Sequence, residues 1–254
     1  MKFRVIIPAR FGATRLPGKP LLDIAGKPMI QHVYERAQES GAQQIIVATD
    51  SVQIEAVVKQ FGGDVCLTAN THQSGTDRIA EVVETLGFAD DDIIVNLQGD
   101  EPLMPPAVIH QVAEALAQSK EANMSTVCTK INTAAELFDP HVVKVVKNNR
   151  DLAIYFSRAS IPWDRDAFAS TTEMLPDDSE HYRHIGIYAY RTGFLKTYSQ
   201  WPACPLEKME SLEQLRVLWN GQNIHVAEAV EVPLAGVDTD KDLEVVRAWL
   251  SKTE

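Results

Sequence analysis

No stretch of the 254-residue chain approaches the roughly 20 consecutive apolar residues that a membrane-spanning helix needs. The first apolar run, Phe3 to Ile7, is also far too short for the core of a secretory leader, so a cytoplasmic protein with no membrane insertion is expected. Cysteine is scarce: Cys66, Cys128 and Cys204 are far apart, odd in number and without C-x-x-C spacing. That fits a reducing compartment and argues against zinc. Cys66 and Cys128 lie in apolar runs and read as core packing. Two nucleotide-binding signatures are missing. A Walker A loop needs four residues between its glycines and Ser or Thr after its lysine, whereas five residues separate Gly12 from Gly18 and Pro20 follows Lys19. The G-x-G-x-x-G fingerprint of a dehydrogenase is absent. So is the basic excess of a nucleic-acid binder, since the net charge is -11. There is no internal repeat, low-complexity tract or linker.

What remains is a globular composition, 45% hydrophobic and 23% charged, with an uneven charge distribution. Residues 1–36 hold seven Lys or Arg against two acids, a local +5, which leaves -16 for the remainder. The basic front end can attract a small anion while the acidic body keeps the protein soluble. Phe3–Ile7 reads as a buried strand. The loop after it carries Arg10, Arg15 and Lys19 with Gly12 and Gly18. Glycines admit close backbone approach, and arginine forks and a lysine point charge suit a polyphosphate. A solvated basic loop is the competing reading, and the density of cations and glycines ranks it second.

Strands and helices then alternate. Gln43–Thr49, Val65–Thr68 and Ile93–Leu97 read as strands, the continuous Ile-Ile-Val-Ala run suiting one buried on both faces. Between them lie helices over Pro28–Ser40 (apolar stripe Ile30, Val33, Tyr34, Ala37), Val52–Phe61, Thr76–Leu86 and Pro106–Ser119. This is the pattern of a doubly wound, mostly parallel α/β sheet, whose ligands sit at the carboxyl ends of strands. Arg10 and Asp100 both follow strand ends and so can face one crevice.

After residue 120 the pattern turns to strands: Met124–Lys130, Val142–Lys147, Leu152–Ser157 and Ile185–Arg191. Asn148-Asn149-Arg150-Asp151 supplies turn chemistry for a long hairpin, an arm inserted in one domain of 1–254, within a portion of about 122–200. Such an arm covers a ligand or pairs with another subunit. Asp164–Glu180 is polar and poorly patterned, and reads as a mobile loop or lid. Leu206–Trp219 reads as one helix, Asn223–Val230 as a strand and Asp240–Ser251 as a closing helix.

The stretch IIPARFGATRLPGKPL resembles the N-terminal signature of the sugar-activating nucleotidyltransferases, and within them the branch that transfers CMP to Kdo (3-deoxy-manno-octulosonate). Ser74-Gly-Thr-Asp-Arg78, Asn96-Leu-Gln-Gly-Asp-Glu-Pro102, His184-Ile-Gly-Ile-Tyr-Ala-Tyr190, Leu212-Glu-Gln-Leu-Arg216 and Gly236-Val-Asp-Thr239 carry the same resemblance in order along the whole chain. One departure is Ser160, where the pattern has proline.

The resemblance implies a nucleotidyltransferase-type Rossmann-like fold, CTP and Kdo as substrates, Mg²⁺ as cofactor, a homodimer paired through the hairpin and a role in lipopolysaccharide synthesis. Arg15 and Lys19 would neutralise the leaving pyrophosphate, with Arg10 nearer the α-phosphate. Asp100 and Asp238 would hold the metal. Asp238 can also be read as a helix cap, with Thr239 and Asp240 competing. Pro8, Ala9, Arg10, Lys19, Ser74, Gly75 and Arg78 would surround the nucleotide. Gln98, Arg158, His184, Tyr188, Glu210 and Gln214 would hold the sugar acid. Glu210 and Gln214, four apart, are expected on one helix face, with Met209 and Leu212 turned to the core. Rival readings are the same fold with another acceptor, such as sialic acid, methylerythritol phosphate or a sugar 1-phosphate, and a non-catalytic nucleotide sensor. The sensor reading expects losses at Lys19, Asp100 or Asp238, and all three are present.

Overall fold

The computed structural model describes residues 1–12, 16–72, 74–176, 178–234 and 236–251. In chain order its first elements are β1 (Arg4–Ala9), a 3-10 turn at Lys19–Leu21, a small hairpin of β2 (Asp23–Ile24) and β3 (Lys27–Pro28), α1 (Met29–Glu39), β4 (Gln44–Thr49), α2 (Val52–Gln60), β5 (Asp64–Leu67), α3 (Gly75–Leu86), β6 (Ile93–Asn96) and α4 (Pro106–Gln118). Then come β7 (Met124–Lys130), α5 (Ala134–Phe138), β8 (Lys144–Lys147), β9 (Ala153–Ser157), β10 (Tyr182–Arg191), α6 (Thr192–Tyr198), α7 (Pro205–Glu210), α8 (Leu215–Trp219), β11 (Ile224–Glu228) and α9 (Asp240–Leu250).

One sheet runs in the order β11-β7-β10-β6-β1-β4-β5. Along that order the pairs are parallel except that β10 lies antiparallel between β6 and β7, and β8 and β9 extend the sheet antiparallel from β10. Side chains alternate across each strand. Val5, Ile7 and Ala9 of β1 join α1, α2 and α4 on one face, while Ile6 joins α3, α6 and α8 on the other. The fully buried runs in β1, β4 and β6 reflect this two-sided cover. The chain moves from β1 outward to β4 and β5, then returns to place β6 on the opposite side of β1. A crevice opens at such a reversal.

The arm is a hairpin of β8 and β9. The Asn148 side chain accepts from Arg150 N (2.9 Å) and Leu152 N (3.1 Å), and Asp151 takes a positive φ of 56°, as this turn chemistry predicts. None of the described residues of 164–180, read as a mobile loop or lid, lines the cleft at the strand ends. Phe168 is buried with Ile131 and Leu137, and Asp164 accepts from the Ala167 amide at 2.9 Å.

The expected helix over Leu206–Trp219 is instead two short ones. Ser211 takes the left-handed conformation (φ 54°) and ends α7. The cause is a buried pair: Glu207 accepts from Arg216 at 2.8 and 2.5 Å. Nine residues apart on one continuous helix, these two would point to opposite sides, separated by about 13 Å of rise. Only a break lets the guanidinium and carboxylate meet. Cys204, buried in the structure, caps α7 by accepting from the Glu207 amide.

Candidate active site

A cleft of about 480 Å³ lies over the carboxyl ends of the central strands. Pro8 and Ala9 close β1 and Arg10 follows it. Gln98, Gly99 and Asp100 follow β6, and Ser74, Gly75 and Arg78 open α3. All of them line the cleft, together with Lys19 and Asp238. Arg15 lies outside the described residues. Glycine eases the crowding of these segments, most of all at Gly99. A Cβ on Gly99 would sit 2.9 Å from the Pro8 carbonyl oxygen, and one on Gly75 would sit 3.3 Å from Pro8 Cγ.

Lys19 is buried, and its Nζ lies 2.7 Å from Asp100 Oδ2 and 3.2 Å from Asp238 Oδ1. The backbone fixes this meeting. Val237 N donates to the Asp100 carbonyl at 2.9 Å, which ties the loop before α9 to the turn after β6. Thr239 is the cap of α9, accepting from Asp242 N, and Asp242 returns bonds to Asp238 N (3.1 Å) and Thr239 N (2.8 Å). The cap role therefore falls to Thr239 and leaves the Asp238 carboxylate free to face Lys19. Two carboxylates converging on one cation are a donor set that suits Mg²⁺, which completes its shell with phosphate oxygens and water. Among the described residues no group of three or more His, Cys, Asp or Glu offers a fuller cage.

Three residues at the cleft or the groove beside it were not singled out from sequence, although two of them lie inside its motifs. Glu101 is pushed up to about 8 by burial first and then by the Asp100 and Asp238 carboxylates. It packs against Gly236, whose Cβ would meet Glu101 Oε1 at 2.7 Å. Glu213 lines both the main cleft and a pocket of about 230 Å³ behind it, and accepts from Thr76 Oγ1 at 3.2 Å. Burial raises its carboxyl pKa. His72, in the loop after β5, is the third. Arg78 is committed within the protein: it donates to Asp50 at 2.8 Å and to the Thr68 hydroxyl.

A groove of about 580 Å³ shares Asp100 and Asp238 with the cleft and runs on past His184, Tyr188 and Gln214. Gln98, Tyr188 and Gln214 also line the pocket behind the cleft. Gln214 is buried, and its Nε2 has no hydrogen-bond partner. A buried amide left so costs about 1–3 kcal/mol unless a ligand accepts from it. His184 sits edge-on to Phe156, with Nε2 3.0 Å from Thr126 Oγ1. That hydroxyl lies 2.8 Å from the Ile187 carbonyl and donates to it, so Nε2 carries the hydrogen and Nδ1 is an acceptor. Burial lowers the His184 pKa to about 3 and raises that of the Tyr188 phenol, so both are neutral.

Arg158 and Glu210 are not brought to this lining. Glu210 accepts from Ser157 Oγ (2.6 Å) and Arg158 N (2.9 Å), while Arg158 Nε donates to the Glu210 carbonyl (2.7 Å). Because of the break at Ser211 they tie the arm to α7, and Glu210 does not share a helix face with Gln214. Leu212 is buried as expected, but Met209 is 75% exposed. Ser160, where the pattern has proline, donates to the Leu137 carbonyl at 3.3 Å.

A family profile described as cytidylyltransferase matches residues 4–224. A 3-deoxy-manno-octulosonate cytidylyltransferase of Aliivibrio fischeri is 59% identical over 252 residues, 99% of this chain and 100% of the relative. One from Coxiella burnetii is 58% identical over 249 residues, 98% of this chain and 100% of the relative. A solved CMP:2-keto-3-deoxy-manno-octonic acid synthetase complexed with CTP is 45% identical and covers both chains fully, with a TM-score of 0.90. A nucleotidyl transferase from Methanothermobacter, 14% identical with a TM-score of 0.63, shares the fold.

Proposed function

The chain belongs to the cytidylyltransferase family, and we propose that it makes CMP-Kdo and pyrophosphate from CTP and 3-deoxy-manno-octulosonate. The observation that carries this reading is the convergence of Lys19, Asp100 and Asp238 at one end of the cleft, beside a groove lined by Gln214, His184 and Tyr188. The nucleotide chemistry and the acceptor chemistry thus share a wall.

In the reaction the anomeric hydroxyl of the sugar attacks the α-phosphorus in line. One oxygen–phosphorus bond forms as the α–β bridging bond breaks, the hydroxyl proton passes to solvent, and pyrophosphate leaves with the electron pair. Such transfers depend on positioning and charge neutralisation rather than on a covalent enzyme intermediate. Arg10 and Lys19 supply positive charge along the phosphates. Asp100 and Asp238 would hold Mg²⁺, which when bound spreads the phosphate charge. Gln214 Nε2–H donates to an oxygen of the sugar acid, and His184 Nδ1 accepts from one of its hydroxyls. Both groups are neutral, so they orient the acceptor without attracting the triphosphate into its place.

CMP-Kdo formation serves lipopolysaccharide assembly, and a cytoplasmic enzyme fits the three free thiols. None of the described helices is long and apolar enough to cross a membrane. A homodimer joined through the β8–β9 arm completes the reading. Ile154 of β9 is 58% exposed on that arm, an apolar side chain that a partner would cover.

The test is pyrophosphate release with CTP and Mg²⁺, comparing Kdo, N-acetylneuraminate and no acceptor, with Asp100→Ala as control. Release that requires Kdo and is lost in the variant is the expected result. Release with N-acetylneuraminate alone would overturn the acceptor, and no release with either would overturn the reading in favour of another acceptor or a nucleotide sensor.

A further inference from the structure

His72 has no role in the reaction as described, yet it lines the nucleotide cleft beside Ser74, Gly75 and Arg78. Its position is built rather than incidental. Arg78 and Glu81 lie three apart on α3, on one face of its first turns. Arg78 donates to the Thr68 hydroxyl at the start of the loop after β5. Glu81 takes the Ala69 amide at 3.0 Å and Nε2 of His72. The segment is therefore stapled to the helix at both ends, with the His72 side chain only 20% exposed.

Sheet order places this segment relative to the reacting groups. β5 and β6 are three strands apart in the order β5-β4-β1-β6. At about 4.8 Å per strand, β5 and β6 lie roughly 14 Å apart, with Arg10 after β1 between them. A bound nucleoside triphosphate spans such a distance. Its phosphates belong with Lys19 and Arg10, so its nucleoside end falls on the β5 side. The chemistry of the ring agrees. Nε2–H donates to the Glu81 carboxylate, which leaves Nδ1 for one hydrogen bond to a ligand. A ribose hydroxyl can donate to that nitrogen or accept from it, so it suits the site whichever way the ring is protonated.

We propose that His72, oriented by Glu81, is a binding contact for the nucleoside half of the nucleotide, and that Glu81 is its positioning residue. This rests on the reading that CTP is the bound nucleotide. The experiment is calorimetric titration of wild type, His72→Ala, His72→Gln and Glu81→Gln with CTP, CMP and inorganic tripolyphosphate. His72→Ala should weaken CTP and CMP about five- to tenfold, the worth of one hydrogen bond, and leave tripolyphosphate unchanged. Unchanged tripolyphosphate binding also shows that the variant is folded. Glu81→Gln should show the same selectivity with a smaller loss, and KM for CTP should rise while kcat stays within about threefold. His72→Gln, which keeps a polar group at the site, should recover part of the loss. Equal weakening of CTP and tripolyphosphate would make His72 a phosphate contact and overturn the proposal, as would unchanged CTP affinity. A wild type that does not bind CTP would instead overturn the underlying reading.

Discussion

Replacing Lys19 by methionine keeps the buried volume and removes one charge, which separates the two things that charge does. Lys19 Nζ lies 2.7 and 3.2 Å from carboxylate oxygens of Asp100 and Asp238, so those oxygens are at most about 6 Å apart. Without the ammonium they repel each other. At an effective dielectric of about 40, two unit charges at about 6 Å repel by about 1.4 kcal/mol. The Asp238 side chain is 67% exposed, so solvent trims that to about 1 kcal/mol. For a chain of this size the melting temperature should fall by about 2–4 °C in chelator. A divalent cation restores the missing positive charge, so Mg²⁺ should raise the melting temperature of Lys19→Met more than that of wild type. Loss of a cation on the leaving phosphates should also cost about 10²- to 10³-fold in turnover, by comparison with removal of one oxyanion-hole donor. Differential scanning fluorimetry with and without Mg²⁺, together with pyrophosphate release, reads both effects. A variant whose melting responds to Mg²⁺ no more than that of the wild type, or whose turnover stays within about threefold, would refute the placement of Lys19 between the carboxylates and the phosphates.

Four further outcomes are expected. Gly99→Ala drives a Cβ to 2.9 Å from a backbone oxygen that has nowhere to move, so stability should drop by about 1–3 kcal/mol and turnover at least about tenfold as Asp100 shifts; an unperturbed urea midpoint would show the contact to be looser. The His184 ring is neutral down to about pH 3 in the folded protein but takes a proton near 6.5 when unfolded, so its contribution is complete above about 6.5 and is lost on acidification toward 3; NMR titration of the ring near 6.5 would contradict this. Glu210→Ala strips the acceptor from Ser157 Oγ and Arg158 N and should cost about 1–3 kcal/mol with KM for Kdo within about threefold, whereas a raised KM at unchanged stability would move Glu210 to the sugar. Sedimentation at micromolar concentration should find a dimer that Ile154→Lys turns into monomer, and a monomeric wild type would remove the arm as an interface.

The elements read from pattern alone, α1 to α4 and β1, β4, β5 and β6, were legible because each signal is local. Ile30, Val33, Tyr34 and Ala37 recur at helical spacing and all face the core. The arm was legible because Asn148 and Asp151 carry their own turn chemistry. The break at Ser211 was not, because no Gly or Pro marks it and its cause is the Glu207–Arg216 pair across the turn. The short helices α5 and α6, of five and seven residues, were passed over because neither extends far enough for its periodicity to register.

The alternation that winds the sheet and the chemistry of each motif are written in short stretches of chain, since both follow from backbone preference and side-chain type over a few neighbouring positions. Which of those residues act together is settled by the packing of the whole fold. Lys19 meets a carboxylate 81 positions away and another 219 away because β6 returns beside β1 and the loop before α9 is bonded to the turn after β6. By the same logic Glu213 and His72 reach the cleft while Arg158 and Glu210 turn to each other. Contacts of that separation are set by how strands pair and helices pack, and no local pattern encodes them.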